Sequence, residues 1–157
     1  MGNVTRPRRL LPAVLLVPLL AGLIFVQGAR AAEPRPWLCR QIPVFSGGKA
    51  MTWRATKRGA GHWLMTFMHY DPAGGHDGFT VVATSAVSGA AAAGTLDAGQ
   101  YYAVALYRSG GHWICPANAS ANHAAAAGAI SKLCYGEDDD SCDVQLVVGP
   151  ADAAPAR

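Results

Sequence analysis

The sequence predicts a mostly β fold: a small antiparallel β-sandwich or flattened barrel, stapled by disulfides and carrying one short alanine-rich helix. Three observations predict it. Short apolar runs of strand length recur between turns rich in glycine, proline and aspartate. One of these runs alternates apolar and polar residues with period two. Four cysteines stand in a chain of 157 residues, an even number that in an oxidising compartment reads as two bridges.

The first 31 residues read as a secretory signal peptide. Arg6, Arg8 and Arg9 precede an apolar run over residues 10–26, and Ala29, Arg30 and Ala31 form a small-x-small cleavage site. Pro12, Pro18 and Gly22 interrupt a run of only 17 residues, short of the ~20 that span a bilayer. The context of Arg8-Arg9 favours the general secretory route over twin-arginine export. Cleavage takes four arginines and no acid from a net charge of +3 and leaves −1. The exported domain then has no basic cluster beyond Lys57-Arg58, so neither a nucleic-acid partner nor a stable membrane anchor is expected. A charged fraction of 15%, against the roughly 25% of average soluble domains, also excludes an acidic disordered chain and a coiled coil.

Residues 32–48 read as an extended segment tied down by Cys39, residues 49–149 as the β-sandwich, and residues 150–157, with Pro150 and Pro155, as a disordered tail. Within the sandwich, Met51, Trp53 and Ala55 share one face and Thr52, Arg54 and Thr56 the other, as in a half-buried strand. Residues 62–70 and 100–108 are apolar on both parities, as expected of central strands covered on both sides. Residues 78–84 form a third strand, 112–115 a short one and 143–148 the last. Residues 88–94, with four consecutive alanines, read as a flexible loop. Residues 120–133 prefer a helix because alanine carries the lowest helix cost, with Asn118 or Ser120 as cap and Gly128 as its weak point. The stretch 95–102 resembles the turn-then-aromatic-strand of secreted β-sandwich modules.

Of the three connectivities four cysteines allow, Cys39 with Cys115 and Cys134 with Cys142 is preferred. The first bridge would pin the N-terminal segment to a strand, and the second would close a loop around residues 136–140. Cys-x-x-Cys spacing of a metal site is absent.

These residues bear on three chemistries. In a simple up-and-down meander His69, His76 and His112 reach one rim of the sheet with Asp71 and Asp77 beside them. That donor set suits copper or zinc, and Met65 and Met68 would extend it toward Cu(I). Glu137, Asp138, Asp139, Asp140 and Asp143 offer carboxylates, but the alternating ligands and glycine of a calcium loop are missing, which favours a solvated acidic loop. Hydrolase, zinc-protease, phosphate-loop and dinucleotide motifs are all absent, which argues against an enzyme. Asn118-Ala119-Ser120 matches a glycosylation acceptor, expected to stay unmodified in the GC-rich bacterium that the alanine and arginine usage suggests.

The expected function is that of an exported bacterial binding or interaction module, periplasmic or released, without catalysis or obligate cofactor. Trp63, Trp113, Tyr101, Tyr102 and Tyr107 are its candidate contacts for a protein or carbohydrate partner. The alternatives are a periplasmic copper- or zinc-binding protein and a secreted protease inhibitor presenting the segment between Cys134 and Cys142.

Overall fold

The computed structural model describes residues 32–122 and 128–152. The signal peptide expected over residues 1–31, the middle of the expected helix and the end of the expected tail lie outside them. The chain enters through a 3-10 turn, Pro36–Leu38, and continues as β1 (Ile42–Phe45), β2 (Met51–Lys57), β3 (Trp63–Tyr70), β4 (Phe79–Val87), β5 (Ala91–Leu96), β6 (Gln100–Ser109), β7 (His112–Ile114), β8 (Asn118–Asn122), β9 (Ser131–Gly136) and β10 (Val144–Pro150). Every pairing is antiparallel. One sheet runs β1-β6-β3-β4 with β7 on β6, and the other runs β5-β2-β10-β9-β8.

The two sheets bury a common core between them. Met51, Trp53 and Ala55 of β2 face it, as their alternation requires, opposite Met65 and Phe67 of β3 and Leu133, Tyr135, Leu146 and Val148 of β9 and β10. The even-numbered positions of β3 explain why that strand is apolar on both parities. Leu64 and Met68, with Val104 and Leu106 of β6, form a second cluster on the outer face, covered by Trp37, Cys39 and Trp113. Disulfides Cys39–Cys115 and Cys134–Cys142 join the preferred pairs. The first ties the N-terminal strap down over that outer cluster.

Several expectations are corrected. Both ends of the alanine-rich segment are strands, not helix: β8 and β9 pair from Asn118↔Gly136 to Asn122↔Lys132. Helix preference amounts to tenths of a kcal/mol per residue, less than the burial gained by setting Ala119, Leu133 and Tyr135 against the core. Gly128, at φ 80°, would also interrupt a helix there, and its N–H reaches the Phe45 carbonyl at 3.1 Å. The alanine run of residues 88–94 contributes β5, paired to β2. Its small side chains are what the pairing needs, because Gly94 lies opposite Trp53 and even a Cβ there would approach the indole to 2.8 Å. The segment 32–48 contains β1, a full member of the first sheet. The first residues of the expected tail are held in place: Pro150 ends β10, the Ala151 N–H bonds the Ala50 carbonyl and Asp152 pairs with Lys49 at 2.7 Å.

One buried hydrogen bond locks the sheets together. The Tyr135 hydroxyl on β9 donates to the Ala103 carbonyl on β6 at 3.0 Å. Burial pushes this phenol far above its ordinary value near 10. Replacing Tyr135 by phenylalanine is expected to cost about 1–2 kcal/mol in urea unfolding, because the carbonyl loses a buried donor. The sign of the pH effect follows from the raised value: the contribution is intact below about pH 10 and declines above it, as phenol ionisation favours the unfolded chain. Stability measured from pH 8 to 11 should fall less steeply in Tyr135→Phe than in the parent.

Candidate functional site

The feature that the fold leaves open lies on the outer face of the β1-β6-β3-β4 sheet. The strap preceding β1 crosses this face, held by its disulfide and by the Trp37 ring, which stacks on His76 with centroids 3.7 Å apart and planes 7° from parallel. Between strap and edge strand β4 lies a groove of about 440 Å³, walled by Glu33, Pro34, Pro36 and Trp37 on one side and by Phe79, Val81 and Thr84 on the other. Thr66 of β3 lies beneath it, 1% exposed, with its Oγ1 lacking any hydrogen-bond partner among the described residues. A buried hydroxyl without a partner costs about 1–3 kcal/mol.

An aromatic rim extends the groove toward the β3–β4 turn. Tyr70, Phe79 and Tyr102 meet edge to face, with centroids 5.3 to 6.4 Å apart. Tyr70 is 54% exposed. Its ring rests against Gly78, which at φ 87° needs glycine both for its backbone and for the space the ring occupies. A bulge in β4 between the partners of Phe67 and Met68 leaves Val82 without a cross-strand partner.

The residues singled out from the sequence go to different places. His69, near the end of β3, lies beside the start of β6, donating from Nδ1 to the Gln100 carbonyl at 2.8 Å and stacking on Tyr101. His76 stacks on Trp37 on the outer face. His112 pairs with Ser109 at the other end of β6, about 30 Å from Gln100 at the rise of an extended strand. The expected single rim fails because the chain is no simple meander: β7 joins β6 at the end where β3 starts, not where it ends. Asp71 Oδ1 accepts from the Ala73 N–H at 3.0 Å within the turn, and Asp77 adopts φ 53°. Among the described residues no three histidine, cysteine or acidic side chains gather as a metal would require. Met65 and Met68 face opposite sides of β3, in different clusters.

The acidic loop is internally bonded. Asp143 accepts from the Glu137 N–H and the Ser141 hydroxyl, both at 2.9 Å, and the loop packs on Gly136, where a side chain would overlap Ser141. Asn118 is engaged as well, donating to the Ser141 carbonyl at 2.6 Å.

Of the candidate aromatics, Trp63 and Tyr101 are core residues, and Tyr107 packs on Trp63. Burial pushes the Tyr101 phenol upward, with Asp97 adding to the shift. Trp113 and Tyr102 lie on the outer face, Trp113 beneath the Arg108 guanidinium at 5.9 Å. Sequence reasoning missed Trp37, Thr66 and Phe79. Thr66 carried a readable signal, as the one hydroxyl in the otherwise apolar first six residues of β3. Trp37, in a proline-rich stretch without periodicity, carried none. No family model, curated protein or solved structure matches this chain, so the groove's own geometry carries the functional reading.

Proposed function

We propose that this is an exported, non-catalytic binding module that takes its ligand on the outer face of the β1-β6-β3-β4 sheet. The observation that carries the reading is the groove built over the unpartnered Thr66 hydroxyl and walled by aromatic rings, the mixture of apolar wall and few polar groups that ligand sites use. Export rests on the leader read in residues 1–31. Two disulfides fit an oxidising extracellular environment, and no helix among the described residues is long and apolar enough to cross a membrane.

The test is an amide-resolved NMR titration of the oxidised protein with a panel of acetylated dipeptide amides and short oligosaccharides. At least one member should move the amides of Thr66, Phe79, Val81 and Thr84. Trp37→Ala should keep the fold while weakening that ligand about tenfold, as loss of an aromatic wall does. A panel in which no member moves these amides overturns the reading.

A further inference from the structure

We infer that the partner is an extended peptide, which adds to β4 as a new edge strand and lays one side chain into the adjoining groove. The inference rests on the binding-module reading and names the class of ligand. β4 is nine residues long and ends its sheet, with no strand beyond it among the described residues. An edge strand leaves a row of backbone N–H and C=O groups unpaired, and proteins commonly blunt such rows with charge or proline. β4, Phe-Thr-Val-Val-Ala-Thr-Ser-Ala-Val, has neither. At the other edge of the same sheet, β1 has four residues and contains Pro43.

Side chains point the same way as backbone. The bulge leaves the adjacent Val81 and Val82 40% and 43% exposed on the edge strand. Phe79, Val81 and Thr84 of β4 also form one wall of the groove. A strand bonded to β4 would therefore set alternate side chains beside an apolar wall, the arrangement by which strand addition joins backbone affinity to side-chain selection. Charge narrows the peptide further. Glu33 is the one acid on the groove lining, and no lysine or arginine lines it, its one imidazole, His76, being stacked on Trp37, so alternating apolar positions with basic flanks match it better than an acidic peptide does. A saccharide would leave the β4 edge unused.

The experiment titrates the oxidised protein with the acetylated, amidated peptide KVTVTVTK and with two versions N-methylated on alternate amides, one along each edge of the extended chain. The parent peptide should bind at about 10 μM. One methylated version should bind about a hundredfold more weakly, the loss of two or three main-chain hydrogen bonds, and the other should bind nearly as well as the parent. Val82→Lys should weaken the parent peptide about tenfold without changing Tm, through the charge it places on the edge. Equal binding of all three peptides overturns strand addition while leaving the binding-module reading intact. The same holds if the parent peptide fails to bind and an oligosaccharide moves the groove amides. A concentration-dependent dimer with β4 amides protected from exchange also overturns it, because the edge then belongs to a second copy. Silence from every peptide and saccharide overturns both readings.

Discussion

Replacing Cys39 and Cys115 together by alanine should lower the free energy of unfolding by about 4.5 kcal/mol, the largest loss expected from removing either bridge. The bridge closes a loop of 76 residues, against 8 for Cys134–Cys142, whose removal should cost about 2.5 kcal/mol by the same chain-entropy relation. The long bridge also has a local task. It anchors the strap whose Trp37 covers Leu64, Met68, Val104 and Leu106 and forms one wall of the groove. Urea unfolding of the two double variants should therefore rank them in this order. Amide exchange should rise at Leu64 and Leu106 in the first variant alone. Equal losses in the two variants would show that the strap holds without its covalent tie.

Trp63→Ala should cost about 3–5 kcal/mol, the range for deleting a large aromatic side chain from a core. Trp63 is 1% exposed and packs on Tyr107 in the cluster shared by both sheets. The effect should appear in the unfolding midpoint and not as a selective loss of ligand, the reverse of Trp37→Ala. This pair of variants separates two tryptophans that look alike as residues. One fills the interior, and the other closes a surface feature.

Much of the fold was legible because its physics is local. The alternation of β2, the double-sided apolar character of β3 and β6 and the glycine turns at residues 59–61 and 110–111 each follow from a few neighbouring residues. The repeated Gly-His-Trp of residues 61–63 and 111–113 is one such local device: each stretch opens a strand, and the two strands flank β6 at the same end. The failures were equally physical. Alanine's helix preference is worth only tenths of a kcal/mol per residue, so the alanine-rich stretches follow what the partner strand offers: Gly94 makes room for Trp53, and Ala119 fills the core opposite Leu133 and Tyr135. The histidine rim was lost because strand order, which no local pattern encodes, sends His112 to the far end of β6.

By itself the sequence determined the class of the fold, the central strands, the preferred cysteine pairs and the expectation of export, since each depends on composition, period two or spacing along the chain. Only the tertiary structure decided which aromatic rings are core and which are surface, that the N-terminal segment lies as a strap over the first sheet, and that Thr66 is buried without a partner beneath a groove. The reason is distance along the chain. Trp37 and His76, Glu33 and Thr84, Tyr135 and Ala103 are brought together by sheet order and a disulfide, and residues so far apart leave no mutual signature in a single sequence.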